Sequence, residues 1–505
     1  MSPVAATIAH GPEDAGRWLR AQLAPPAELS ADSRSIGPGD GFLAMPGERH
    51  DGRDHIAQAR ARGAAAIAYD PAGGAQPEVD VPAIAVPELR RDAGLVAAEY
   101  YGRPSSRMRV VAITGTNGKT SCSQWIARGW AGTGHRAGVI GTLGPAVFGA
   151  AGDESAAPSL TTPDAVSMQR LLAGFRRGAV DVVAIEASSI GIAQHRLAGT
   201  EIEVAVYTNL TRDHLDYHGD MGRYVAAKRR LFAEGQARAA VVNGNDEHGA
   251  TMLDAFARPG DAIVYGESPL RVPPGARRLE AVRVVERGES LELAADGDWG
   301  RFDVRLGLLG RFNAANALAV AGAWLALGLE VDAVVAALAR LEPVAGRMQM
   351  LRVAGAPLVV VDYAHTPDAI TQALAALRPV ARARAGTLAC VLGAGGDRDP
   401  GKRPLMGRAA EAGADRVVIT SDNPRSESPQ AIADAIREGM AGDPWLVELD
   451  RASAIRLAIA AADPADVVLV AGKGHEQYQE VDGRRQHFSD VEVAALALRD
   501  LGGQA

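Results

Sequence analysis

The apolar run Val110-Val-Ala-Ile-Thr114 passes without a break into Gly115-Thr-Asn-Gly-Lys-Thr-Ser121. A strand that ends in a glycine-rich turn and opens onto helix-compatible residues leaves little freedom of fold. The turn has to lie at the carboxyl edge of a sheet, with a helix N-terminus aimed at whatever it holds. Gly115 and Gly118 let backbone N–H groups approach phosphate oxygens, across a turn completed by Thr116 and Asn117. Lys119 brings a positive charge to the β and γ phosphates, and the hydroxyl of Thr120 or Ser121 can ligate Mg²⁺. ATP with Mg²⁺ is the expected ligand, although two residues separate these glycines where the general phosphate loop has four.

A chain of 505 residues exceeds what one core serves, and three domains are expected, residues 1–104, 105–343 and 344–505. The net charge of −8, with no basic stripe, argues against nucleic-acid binding. Cys122 and Cys390 stand far apart in apolar surroundings, so neither a disulfide framework nor a thiolate metal site is indicated. The N-terminus carries no signal-peptide pattern and no apolar run reaches membrane-spanning length, so a soluble cytoplasmic protein without a membrane partner is expected.

Up to about residue 104, short apolar strands such as Asp40-Gly-Phe-Leu-Ala-Met45 and Ala64-Ala-Ala-Ile-Ala-Tyr69 alternate with Gly/Asp turns, and Arg103-Pro-Ser-Ser106 reads as a linker. Beyond it, apolar runs at Val182–Ile185, Val204–Tyr207, Ala239–Val242 and Ala262–Tyr265 are spaced for an α/β unit with a largely parallel sheet. A third block adds Leu358–Val361, Thr387–Leu392, Arg416–Thr420 and Val467–Val470. These four end in Asp362-Tyr-Ala-His365, Gly395-Gly-Asp-Arg-Asp399, Asp422-Asn-Pro-Arg425 and Gly472-Lys-Gly-His-Glu476, clusters that a parallel sheet gathers along one crevice. Thr366 is a helix cap with Pro367 at the first helical position.

For Mg²⁺ the central block offers Glu186 and the segment Thr208-Asn-Leu-Thr-Arg-Asp-His-Leu-Asp-Tyr-His218, whose place after a nucleotide-binding strand marks it as an active-site loop. Within it, His214 is a ligand or an orienting group. By spacing alone Lys228 reads as a helix-surface lysine, and Asp422-Asn-Pro-Arg425 as an Asx-Pro turn.

Taken in order, Gly115-Thr-Asn-Gly-Lys-Thr120, Glu186-Ala-Ser-Ser189, Asn209–His218, Asp362-Tyr-Ala-His365 and Gly472-Lys-Gly-His-Glu476 resemble the Mur ligases of peptidoglycan synthesis. The likeness runs from Asp32-Ser-Arg34 to Phe488-Ser-Asp490. It implies a small α/β N-terminal domain for a UDP-sugar, a P-loop-type central domain for ATP and a Rossmann-like C-terminal domain for an amino acid. Asp422-Asn-Pro-Arg425 resembles the signature of members that add meso-2,6-diaminopimelate to UDP-N-acetylmuramoyl-L-alanyl-D-glutamate. The implied reaction turns the D-glutamate carboxylate into an acyl phosphate at the expense of ATP, and an amine then displaces phosphate.

The resemblance also distributes roles. Lys119, His214 and Lys228 become catalytic, Lys228 as the lysine carried as a CO₂-derived carbamate. Thr120, Glu186, His214 and Lys228 surround the metal, while Asn313, Asn316, Arg347, Asp362 and His365 join the Gly115–Ser121 turn around ATP. Ser33, Glu48, Arg49, His50, Thr161, Thr162, Ser188, Gln194 and Arg196 face the UDP-sugar dipeptide. Arg398, Asp422, Asn423, Pro424, Arg425, Gly472 and Glu476 face diaminopimelate, with Arg398 and Arg425 expected to be buried arginines that a lysine substrate would leave unpartnered. Leu160 and Ile190 stand where many relatives carry Asn and His. A monomer is expected. The alternatives are a sibling in the superfamily, a lysine-adding ligase or a folylpolyglutamate synthase, against which Arg425 and Thr161-Thr162-Pro163 argue, and a nucleotide switch or assembly ATPase that joins nothing.

Overall fold

The computed structural model describes residues 7–48, 50–74, 77, 79–150, 152–157, 160–233 and 237–502. They form three α/β units. The first is built on a five-stranded parallel sheet in the order Thr7–Ile8, Ala83–Ala85, Ala66–Tyr69, Gly41–Ala44, Leu29–Ser30. Its three inner strands read as unbroken buried runs because both faces are covered. Leu43 and Ala68 meet Leu19 and Val96 of two helices on one side, while Phe42 and Ile67 meet Ile56 on the other.

The central sheet has 11 strands, and the strand Arg109–Thr114 lies in its middle, parallel to Val182–Glu186 and Ile202–Tyr207. Val111 and Ile113 face Trp125, Ile126 and Trp324, whereas Val110 and Ala112 face Met168 and Leu172. The parallel expectation holds through this centre and fails at both edges. Arg277–Arg287 and Ala137–Ile140 are still parallel to their inner neighbours, but the strands beyond them, Ser290–Gly297 and Phe302–Leu306 on one side and Ala146–Phe148 and Glu154–Ser155 on the other, pair antiparallel. The cause is solvent on one face: Phe302, Val304 and Leu306 are buried while Asp303 and Arg305 between them are exposed.

The third sheet runs Gln349–Leu351, Leu358–Asp362, Val467–Ala471, Leu388–Leu392, Arg416–Ile419, Leu446–Val447, parallel apart from its first strand. The helix Pro367–Ala383 starts where the sequence places it, with the Thr366 hydroxyl accepting from the Ala369 N–H. The expected linker at Arg103–Ser106 is instead a 3₁₀ turn, Pro104–Arg107, with Pro104 and Ser105 buried. Ser105 Oγ accepts from the Glu201 N–H at 3.0 Å, so this junction is packed rather than free.

Candidate active site

Gly118 adopts φ +88°, and a Cβ there would stand 2.5 Å from Asn316 Oδ1, so the turn before the helix Lys119–Ala131 requires glycine. The first-turn N–H groups of that helix have no intrahelical acceptors, and Lys119, Thr120 and Ser121 that carry them line the cleft, an arrangement suited to an anion. The cleft has a volume of about 440 Å³ between the central and C-terminal units. Every residue from Gly115 to Ser121 lines it, together with Glu186, His214, Lys228, Asn313, Asn316, Arg347, Asp362 and His365. All the residues assigned by sequence to ATP and metal are thus brought to one cavity.

Within it, Thr120 Oγ1 donates to Glu186 Oε2 at 3.0 Å, and Glu186 Oε1 accepts from the Thr142 N–H at 2.9 Å. Asn316 Nδ2 donates to Asn313 Oδ1 at 3.0 Å on the opposing helix. Arg347 crosses from the C-terminal side to donate to Thr120 Oγ1 at 2.9 Å, and its guanidinium lies 4.4 Å over the Tyr363 ring. Asn117 Nδ2 reaches Asp368 at 3.3 Å, and His365 stands 3.8 Å from Asp213. Burial opposes ionisation of Asp213, yet His365, His214 and Lys402 together hold its carboxyl well below the usual range. Burial drives the His214 imidazole down to about 4, so it is neutral at physiological pH.

Lys228 is not on the surface. It is 1% exposed, its ammonium donates to the Gly115 carbonyl at 2.8 Å, and it sits 4.6 Å from the centre of the Tyr224 ring. Lys119 donates to the same carbonyl at 2.8 Å and to that of Thr116 at 2.8 Å. Burial pulls Lys228 well below the ordinary lysine range, and the neighbouring Lys119 charge adds to the shift.

The residues assigned to the amino acid lie along the carboxyl edge of the third sheet. Gly472 has φ +121°, and a Cβ there would approach Asp422 Oδ2 to 2.7 Å. Asn423 Nδ2 donates to Glu476 Oε2 at 2.8 Å, and Arg425 donates to the Gly396 carbonyl at 2.6 Å. Arg451, fully buried with Asp490, donates to it at 2.7 and 2.8 Å and to the carbonyls of Ser421 and Ala471 at 3.1 and 2.9 Å. It ties down the residues just before Asp422 and Gly472. Arg398 corrects the expectation of a buried arginine: its side chain is 53% exposed and 3.6 Å from Asp216 of the central unit. With Arg212–Asp399 at 3.0 Å, that contact joins the Gly395–Asp399 loop to the segment carrying Asp213 and His214. The loop that Arg425 holds through Gly396 therefore meets the Arg212–Asp216 segment across the interface between the two units.

On the sugar side, Thr162 Oγ1 donates to the Glu186 carbonyl at 2.7 Å and lies 2.9 Å from Ser188 Oγ, while Thr161 Oγ1 lies 3.1 Å from Thr142 Oγ1. Arg196 donates to Gln194 Oε1 at 3.0 Å and to the Thr162 carbonyl at 2.7 Å, and Tyr217 joins Gln194 to Glu48 at 3.2 and 2.7 Å. Ser33 is buried against Gln58 at 2.7 Å, His50 is exposed, and Arg49 lies outside the described residues.

Three models of one family cover the chain in order: the Mur ligase family catalytic domain at 27–101, the Mur ligase middle domain at 113–324 and the Mur ligase glutamate ligase domain at 346–474. The chain belongs to the Mur ligase family. Among curated Mur ligases it is similar to the UDP-N-acetylmuramoyl-L-alanyl-D-glutamate–2,6-diaminopimelate ligase of Chromobacterium violaceum, 47% identical over 95% of each chain. The ligase of the same name from Pseudomonas aeruginosa is 46% identical over 93% of this chain and 94% of its own. A solved structure of a ligase so named is 34% identical, covers 94% of this chain and 95% of its own, and superposes with a TM-score of 0.64. The MurF ligase of Thermotoga maritima, solved with ADP, shares the fold at 17% identity over 95% of this chain and 97% of its own, with a TM-score of 0.65.

Several lining residues of this Mur ligase escaped the sequence reading. Tyr224, whose hydroxyl lies 3.0 Å from Thr116 Oγ1, Thr142 and Asp368 all line the cleft. A signal existed for Tyr224, which stands four residues before Lys228 and hence on the same helical face. Leu160, one of the two departures from the family pattern, is 55% exposed, and the paired hydroxyls beside it make their contacts without it.

Proposed function

We propose that the chain is an ATP-dependent amide ligase of peptidoglycan precursor synthesis that joins meso-2,6-diaminopimelate to the D-glutamate of UDP-N-acetylmuramoyl-L-alanyl-D-glutamate. The observation that carries the reading is the gathering of the phosphate turn, Glu186, Asp213 and His214 in one cleft with Arg347 and Asp362 of the C-terminal unit, whose Gly395–Asp399 loop, held by Arg425, contacts Arg212 and Asp216. The names of the relatives supply the substrates. Residues 1–104 are assigned to the UDP-sugar, 105–343 to ATP and 344–505 to diaminopimelate.

ATP enters as a substrate. The glutamate carboxylate oxygen attacks the γ-phosphorus, the bond to the β-phosphate oxygen breaks, and ADP leaves. The amine nitrogen then attacks the acyl carbon, phosphate departs, and the nitrogen sheds a proton. Anions approach one another in the first step, so neutralisation is the main demand on the site. Lys119 and Arg347 bring the positive charge, and the first-turn N–H groups orient the phosphates. Thr120 and Glu186, with His214 beside them, form a sparse, oxygen-rich donor set of the kind that suits Mg²⁺ bound with substrate phosphates. Mg²⁺ would supply charge neutralisation there.

Lys228 is suited to carbamate formation, because burial and the Lys119 charge favour the neutral amine, the form that adds CO₂ with loss of its N–H proton. The product is an anion beside the metal donors. Localisation in the cytoplasm and a monomeric state complete the proposal; no helix among the described residues is long and apolar enough to cross a membrane. Phosphate release from ATP and Mg²⁺ tests it. Release is expected only with the UDP-sugar dipeptide and diaminopimelate together, and is lost in Lys119→Ala. Steady release without the amino acid would favour the nucleotide switch.

A further inference from the structure

Lys473 is 0% exposed, yet it stands in the amino-acid pocket rather than in a core. Its ammonium donates to Glu476 Oε2 at 2.8 Å and to Asn423 Oδ1 at 3.0 Å, and lies 3.8 Å from Asp422 Oδ1. Glu476 Oε2 also accepts from Asn423 Nδ2, so both of its hydrogen bonds fall on one oxygen. Oε1 makes none among the described residues. Asn423 is held from its other side by the Glu480 N–H, which donates to Oδ1 at 3.0 Å. One buried cation thus fixes the rotamers of the two side chains that face the substrate's polar groups, and offsets one of two carboxylates, Asp422 and Glu476.

Resting on the reading above, we propose that Lys473 is a positioning residue that sets the charge of the amino-acid pocket and thereby selects diaminopimelate over lysine. The distal end of diaminopimelate carries one carboxylate and one ammonium, whereas the distal end of lysine carries an ammonium alone. With Lys473 present, the pocket cations Arg425 and Lys473 balance Asp422 and Glu476, which suits a distal end of no net charge. Without it the pocket gains one unit of negative charge, repels the distal carboxylate and favours the cation. Neighbouring contacts reinforce the arrangement: the Tyr478 ring lies 5.5 Å from the Lys473 ammonium, and Gln479 donates to the Asp422 carbonyl at 2.7 Å.

The test is the ratio of kcat/KM for diaminopimelate to that for lysine, measured with saturating ATP and UDP-sugar dipeptide. In Lys473→Met the ratio is expected to fall at least tenfold, mostly through KM for diaminopimelate, with KM for ATP within about twofold of the parent. The double variant Lys473→Met/Glu476→Gln removes the cation together with the carboxylate it hydrogen-bonds, so the net charge of the pocket is unchanged. It is expected to return the ratio to within about fivefold of the parent, at lower absolute efficiency for both amino acids. Equal losses for the two amino acids in Lys473→Met overturn the proposal. If that variant does not fold, a double variant that has lost discrimination, or keeps the parental KM for diaminopimelate, overturns it. A parent protein that does not use diaminopimelate would instead refute the underlying function.

Discussion

Arg451→Met isolates what holds the amino-acid edge together. The guanidinium and the Asp490 carboxylate are both 0% exposed and joined by two charge-assisted bonds of 2.7 and 2.8 Å. Removing the arginine strands a buried carboxylate and frees the carbonyls of Ser421 and Ala471. Breaking a buried pair from one side costs about 3–5 kcal/mol, or roughly two to four orders of magnitude in the opening equilibrium. A three-unit chain does not unfold in one step, so the assay is native-state hydrogen exchange, read at Val467–Ala471 and Arg416–Ile419 with Arg109–Thr114 as internal control. Protection is expected to fall by that amount in the third sheet alone. The double variant Arg451→Met/Asp490→Leu should recover most of it, because an apolar pair of similar volume is nearly neutral. KM for diaminopimelate should stay raised in both variants, since neither restores the two carbonyl anchors. A loss below about 1 kcal/mol, or one spread equally over all three sheets, would refute the reasoning.

Arg425→Ala should raise KM for diaminopimelate roughly 10- to 100-fold, as expected for losing a hydrogen bond to a charged group, while leaving KM for ATP near its parental value; equal changes in both would contradict the assignment. Lys228 should give a carbamate carbon signal by NMR after exposure to ¹³C-bicarbonate, lost in Lys228→Ala and lost reversibly on acidification, which protonates the amine and releases CO₂. His475 is pushed down from 6.5 to about 3 by burial and by the charges of Arg347, Lys473 and His365. The unfolded chain therefore binds a proton that the folded one refuses, so stability of the third unit should decline as pH falls from about 6.5 towards about 3. His475→Gln should flatten that limb, and an unchanged urea profile against pH would exclude the effect.

The strands that bear the site were legible because a strand covered on both faces has to be apolar throughout, and the break from Ile185 to Glu186, or from Val361 to Asp362, marks its carboxyl end. The antiparallel edges were not: Arg277–Arg287 mixes arginines with valines because half of it faces water. Lys228 was misread by spacing because Arg229 and Arg230 follow it, although Tyr224, Ala227 and Leu231 share its buried face. Arg398 was misjudged for a different reason. A loop residue's exposure depends on which unit lies opposite, and local sequence carries no trace of Asp216.

One backbone contact reaches beyond either subsite. The Gly472 N–H donates to the Asp362 carbonyl at 3.1 Å, while the Asp362 carboxylate accepts from the Met348 N–H at 2.7 Å. A single residue at the end of a strand is thus gripped on one side by the loop assigned to the amino acid and on the other by the segment that carries Arg347 into the cleft. Binding free energy is reciprocal, so a compound that displaces this residue from one side must alter affinity on the other by the same factor. Small molecules aimed at the two subsites would then act as coupled inhibitors, each changing the potency of its partner.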